Sequence, residues 1–488
     1  MSVSRRFAVL STVLCVFGAV LAAQTAPTAA ASPNDTKGHI QKVTGCVPER
    51  VVVKNDPHPC PTLAERMAEM HVPGVSIAVV HNGVIEWAQG FGVQRVGGPP
   101  VTAVTLFQAG SISKPLAAMA ALHLVQQGKL VLDSDVNAKL TTWKIPASAA
   151  APGAVVTLRE LLTHTAGFNV HGFPGYAANA PVPTLVQVLN GEKPANTDPI
   201  RLESPPGKEP KYSGGGYTVM QQLVLDAAKE PFPKVLHDTV LAPIGMIHST
   251  YEQPLPADLR AMAATPYSDD GTAVPGGAHT YPEMAAAGLW TTPSDLARYM
   301  IENQQSLQGK ANHVLSRELT EEMVTRGLGL QIGGSVSNQY FSHGGVNEGF
   351  ESLFVAYRHG GEGAAIMTNA AGGLRLASEI MSSIAIAYDW PDFRPVVRTV
   401  VEVDRSVLAR YVGTYELTPA FSITFSLDGS QLMTQATNQP KVPVFPESQT
   451  KFFLKVVDAE VEFFSDDKGQ VTHMVLHQNG HETKGIKK

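Results

Sequence analysis

The sequence predicts an α+β fold with a composite sheet, followed by a small all-β domain. Three observations carry this reading. Strand-like runs stand at both ends of the stretch 75–369, helical periodicity fills its middle, and beyond residue 404 only short alternating strands remain.

The first 31 residues read as a cleaved secretory signal. Arg5 and Arg6 precede an apolar run over 7–23, and Ala29 to Ala31 offers a small-residue cleavage site. An uncleaved membrane anchor is the alternative, because the run sits at the lower edge of a bilayer span. Cleavage is preferred, since Ala, Thr and Pro follow the run rather than charged stop-transfer residues. The cleaved signal implies a periplasmic or secreted location, and no later stretch is long enough for a membrane helix. Residues 32–60 form a Pro-rich, irregular N-terminal arm carrying Cys46 and Cys60. In an exported chain this even count at short spacing points to a disulfide clamping the arm, with two free thiols as the alternative.

The main domain is placed at 61–395 and opens on a helix-like segment over 61–70. Apolar residues over 75–80 and a return over 84–89 flank Asn82-Gly83, the strongest two-residue hairpin signal. A helix is predicted from Ser111, with Leu116, Met119, Ala120 and Leu124 on one face and Gly128 closing it. Pro/Gly-rich loops such as 172–183 and 192–210 interrupt the middle, and long loops of this kind usually carry function. Strands return between 339 and 369, where Phe350, Ser352 and Phe354 alternate in phase and a strand over 364–368 follows a turn at 359–363. A last helix over 374–388 stops at Trp390-Pro391. Residues 396–403 read as a linker. From 404 to 488, Phe421, Ile423, Phe425 and Leu427 alternate up to Asp428-Gly429, with further turns at 467–469 and 479–480. Such spacing predicts a small barrel or sandwich.

Composition removes whole classes of function. With 44% hydrophobic and 16% charged residues the chain is too apolar to be disordered. A net charge of −6 without Lys/Arg runs argues against a phosphate-tracking surface, so no nucleic-acid partner is expected. No His or Cys pair has zinc-ligand spacing and no His-Glu-x-x-His occurs, so neither a metal nor another cofactor is expected.

The chemistry concentrates at Ser111-Ile112-Ser113-Lys114. A Ser and a Lys three apart on a helix share one face. At a helix start, the positive end of the backbone dipoles favours a developing oxyanion and disfavours an ammonium. Together these effects activate a weak nucleophile. The same Ser-x-x-Lys pattern recurs at Ser448 to Lys451 and Ser465 to Lys468, but neither instance starts a helix.

Gly110-Ser111-Ile112-Ser113-Lys114, the segment 161–167 (LLTHTAG), the stretch 205–217 (PPGKEPKYSGGGY) and His343-Gly344-Gly345 stand in the order and spacing of one family. Over about 60–395 the chain resembles the serine β-lactamase and penicillin-binding protein superfamily, in the branch of class C β-lactamases, D-alanyl-D-alanine carboxypeptidases and family VIII esterases. That resemblance implies an antiparallel sheet flanked by helices with a helical subdomain. It makes Ser111 the nucleophile, with Lys114 and Tyr212 sharing base duty. The N–H groups of Ser111 and Val346 form the oxyanion hole, and His343, Gly344, Gly345 and Gly214 stand beside the substrate. A tyrosine base requires neighbouring cations to lower its pKa. The segment 161–167 reads as structural, a helix end with a Gly cap. Two departures point away from efficient antibiotic hydrolysis: Gly214 replaces the family's amide-bearing Asn, and His343 replaces a permanently charged Lys. The expected substrate is a small-molecule ester, with a β-lactam or a D-alanyl peptide as the alternative and a non-catalytic cell-wall sensor as a further one. The stretch 408–415 is similar to the start of lipocalin-like barrels attached to such hydrolases.

Overall fold

Asn82 and Gly83, at φ 54° and 76°, turn the chain tightly between the strands Gly74–His81 and Val84–Gly92. The structure is a computed structural model describing residues 33–56, 60–478 and 480–488. The predicted export segment and Asn479 of the last predicted turn lie outside the described residues. The hairpin is one end of a six-stranded antiparallel sheet. Its order continues through Gly363–Thr368, Phe350–Tyr357, Tyr340–Asn347 and Gln331–Gly333.

Alternation along the central strands feeds two cores. Ile77 and Val79 pack with Leu63, Met67, Leu376 and Ile380 on one face. Ala78 and Val80 face Leu116, Met220 and Leu296 on the other. The first face is covered by the helices Pro33–Gly45, Leu63–Glu69 and Gly373–Ala387. The second carries Ser113–Gln126, Gly214–Ala228 and Pro293–Leu307. The antiparallel sheet between helices agrees with the expected β-lactamase/transpeptidase-like α+β fold.

The N-terminal arm is more ordered than its composition predicts. It holds the helix Pro33–Gly45 and the strand Val51–Val53, which pairs in parallel with Val396–Arg398. The stretch read as a linker therefore begins with a strand. Cys46 and Cys60 are joined, with their Cα atoms 5.1 Å apart.

The C-terminal stretch forms a nine-stranded antiparallel sheet whose two end strands, Val442–Pro443 and Phe445–Pro446, flank the single residue Val444. The sheet thus curls almost closed on itself, around Tyr411, Tyr415, Phe425, Phe452 and Phe463. Among the described residues no helix is long and apolar enough to cross a membrane.

Candidate active site

The predicted helix does not begin at Ser111. Gly110–Ile112 is a 3₁₀ turn and the α-helix starts at Ser113, with Pro115 in its first turn, where a missing N–H costs nothing. Ser113 fixes the turn: its Oγ donates to Gly110 O at 2.6 Å and accepts from Leu289 N at 2.9 Å. Gly110 is required, because φ is +52° and a Cβ would stand 2.5 Å from Val346 N. A Cβ on Gly345 would be 1.9 Å from Ala109 O. The strand Tyr340–Asn347 therefore lies in backbone contact with the turn that carries Ser111. Ser111 and Val346 thus come together at the edge of the sheet, and the Val346 side chain faces solvent.

Lys114 is 2% exposed. Its Nζ donates to Ser111 Oγ and to Ala286 O, both at 2.9 Å. The rings of Tyr212 and Tyr217 lie 4.9 and 5.7 Å from Nζ. Burial pulls the lysine down to about 7. The amine beside Ser111 is thus about half neutral near physiological pH, a state in which it can accept a proton.

The Tyr212 ring lies over the Lys114 amine at 4.9 Å, and its phenol feels the Ser111 side chain beside it. Burial raises its pKa, and the Ser111 side chain opposes that only in part, so the condition for a tyrosine base is not met in this resting state. The neighbouring amine is itself desolvated and does not act as the expected lowering cation. Tyr212 therefore rests as a neutral phenol that can donate a proton.

His164, read from sequence as structural, belongs to this cluster. The helix Leu158–Leu162 ends on Thr163, not on a glycine, and His164 takes a left-handed φ of 60°. That turn sets its ring 4.3 Å from Tyr212 and lets Nδ1 accept from Ser213 N at 3.1 Å. Burial, and then the charges of Lys114 and His343, push it down to about 3. A neutral ring can accept that bond, and an imidazolium cannot. The signal available was the 161–167 segment itself; the partner residue lay too far along the chain to suggest a contact.

His343 is buried on its strand, with Nδ1 donating to Gly344 O at 2.6 Å and its ring 6.4 Å from Tyr212. Burial, aided by Lys114, pulls it to about 4. It is a neutral polar group at neutral pH, not a cation. Gly344 and Gly345 follow on the same strand.

Gly214 opens the helix Gly214–Ala228, capped by Ser213, whose Oγ accepts from Gly216 N at 3.0 Å. A Cβ on Gly214 would stand 2.9 Å from the Phe173 ring. An aromatic edge from the 172–183 loop occupies the space that an asparagine side chain would need. Among the described residues no group of three or more His, Cys, Asp or Glu side chains is arranged to hold a metal ion.

The Beta-lactamase family profile matches residues 61–387. Residues 397–487 match the family described as Domain of unknown function (DUF3471), which lends no support to a specifically lipocalin-like barrel. Penicillin-binding protein 4* of Bacillus subtilis (strain 168) is 22% identical over 474 residues, 87% of this chain and 97% of that protein. A beta-lactamase of Pseudomonas fluorescens is 26% identical over 280 residues, 56% of this chain and 72% of its own. The solved octameric penicillin-binding protein homologue from Pyrococcus abyssi aligns with TM-score 0.58 at 21% identity, covering 86% of this chain and 98% of that one. D-alanine carboxypeptidase AmpC from Burkholderia cenocepacia aligns with TM-score 0.51 at 20% identity, covering 72% and 100%. At such identities the solved structures speak for the fold alone. The family match spans well over half of the residues, and the chain belongs to the beta-lactamase family.

Proposed function

We propose that this chain is an exported serine hydrolase that cleaves carboxylic esters through an acyl-enzyme on Ser111. One observation carries the reading: a buried, half-neutral Lys114 hydrogen-bonds the Ser111 hydroxyl, with the neutral Tyr212 ring 4.9 Å from the same amine. Lys114 takes the Ser111 proton as Oγ bonds to the acyl carbon, and the carbonyl electron pair moves onto oxygen. The N–H groups of Ser111 and Val346 hold that oxyanion. Collapse restores the carbonyl and breaks the bond to the alcohol oxygen. That oxygen receives the Tyr212 proton, which Lys114 replaces. Water then attacks the acyl-enzyme by the same route in reverse and releases the acid.

Two features favour an ester over a β-lactam. His343 supplies no fixed cation for a carboxylate, and Phe173 fills the place of an amide beside Gly214. Residual β-lactam turnover is expected to be weak. The second reading, a D-alanyl-D-alanine-type carboxypeptidase, rests on the similarity to penicillin-binding protein 4* of Bacillus subtilis. Export, to the periplasm or beyond, rests on the N-terminal residues and on the joined Cys46 and Cys60. The barrel-like domain, lipocalin-like in the 408–415 stretch, serves as a stabilising appendage. It meets the arm through the Lys455–Asp56 ion pair, and the linker strand Val396–Arg398 leading into it pairs with Val51–Val53.

The test mixes the protein with p-nitrophenyl butyrate, a chromogenic cephalosporin and a fluorescent penicillin, each repeated with Ser111→Ala. Ester turnover lost in the variant supports the proposal. Stable penicillin labelling without turnover selects the second reading, and inertness to all three selects a non-catalytic sensor.

A further inference from the structure

Asn347 ends the strand Tyr340–Asn347, immediately after Val346. Its side chain is buried, and Nδ2 donates to Ala287 O at 3.0 Å and to Gln108 Oε1 at 3.1 Å. The amide cannot be turned over. Ala287 offers a carbonyl, and Gln108 presents its oxygen because its own Nε2 donates to His279 O at 2.6 Å. The Asn347 Oδ1 that remains is buried without a hydrogen-bond partner among the described residues. A bare buried acceptor is unfavourable, and it is tolerated here alongside the two donations that the same amide makes. The two donations thus satisfy buried acceptors on separate segments, while the amide leaves one of its own bare.

What they join is specific. Ala287 adjoins Ala286, whose carbonyl holds Lys114 Nζ. Gln108 lies on the two-residue strand Phe107–Gln108 that leads into the Gly110 turn and Ser111. One amide thus ties the strand bearing the Val346 N–H to the segment that holds the base and to the segment that presents the nucleophile. We propose that Asn347 is a positioning residue for acyl transfer, setting the oxyanion donor of Val346 in register with the Ser111–Lys114 pair. This rests on the serine-hydrolase reading, in which Asn347 itself touches neither substrate nor reacting atoms.

Asn347→Leu keeps the size and removes both donations. Hydrolysis of p-nitrophenyl butyrate is measured per active site, the sites being counted by labelling Ser111 to completion with an alkyl fluorophosphonate. The expected result is a fall in kcat per labelled site of about 100-fold, the scale of a misplaced reacting geometry, with KM changed less than about 3-fold. Inhibition by a simple alkylboronic acid, which forms a tetrahedral adduct on Ser111, should weaken in parallel. A merely structural role lowers the number of labelled sites and the Tm while leaving kcat per site intact, and that result overturns the proposal. Gln108→Met removes one of the two acceptors and decides the matter if the first variant does not fold: a loss of about 10-fold per site is expected, and unchanged turnover overturns it. Hydrolysis that survives Ser111→Ala sinks the serine-hydrolase reading itself. Ser111-dependent hydrolysis indifferent to Asn347→Leu removes this inference alone.

Discussion

Acidification below neutrality should disable the base long before it harms the fold. Lys114 sits at about 7, so the neutral amine is about half the population at pH 7, about a tenth at pH 6 and about a hundredth at pH 5. His164 and His343, at about 3 and about 4, stay neutral across that window and leave the profile to the lysine. The logarithm of kcat/KM for an ester should therefore rise with unit slope up to about pH 7 and then level. The same burial has a consequence for stability. The folded pKa is depressed from 10.5, so the unfolded chain binds the extra proton between about 7 and 10.5. Stability is free of this penalty above 10.5 and loses roughly 5 kcal/mol, at most, as pH falls to about 7. Lys114→Met should flatten that slope. Denaturant titrations of both proteins at pH 7 and pH 9.5, beside a stopped-flow pH–rate profile, test the two claims together. A flat rate profile between pH 5.5 and 8.5, or a limb above pH 9, refutes the argument that desolvation tunes the lysine.

Tyr212→Phe should cut ester turnover by orders of magnitude with little change in Tm; activity within a few-fold of wild type takes the phenol out of the mechanism. Glu283 is fully buried, neither carboxylate oxygen has a hydrogen-bond partner among the described residues, and burial pushes it up to about 8. Its folded state prefers the proton, so its contribution is intact below about 4.5 and is lost as pH rises to about 8, by roughly 5 kcal/mol at most. Glu283→Gln should therefore be more stable than wild type at pH 8 and above by denaturant titration; equal stability there contradicts the burial. Thiol titration of the unfolded, unreduced chain should find no free sulfhydryl from Cys46 or Cys60, and free thiols at both would remove the clamp.

The elements with their own local periodicity were legible. The Asn82-Gly83 hairpin, the in-phase Phe350, Ser352 and Phe354, and the helix through Leu116 and Leu124 all stand as expected, because each is set by neighbours in sequence. The serine and lysine were legible for the same reason: three residues apart, they meet across the short 3₁₀ turn that leads into the helix. What sequence hides is distance along the chain. His164 meets Ser213, and Phe173 meets Gly214, through contacts between segments with no shared period. The rise of the Tyr212 pKa was not legible, because burial, which causes it, is a property of the assembled site. Val51–Val53 and Val396–Arg398 are each three residues long and carry no alternation to read, and only their pairing reveals them as strands.

That parallel pairing also orders events during synthesis. The seat for residue 396 is made near the front of the chain, and the segment that occupies it emerges only after the whole catalytic unit. A crosslink spanning residues 46 to 60 forms locally, so an oxidising compartment can shape the seat early and hold it ready. A chain made where thiols stay reduced would meet its late-arriving tail with an unfastened dock, and heterologous production in a reducing cytosol should leave the barrel poorly anchored.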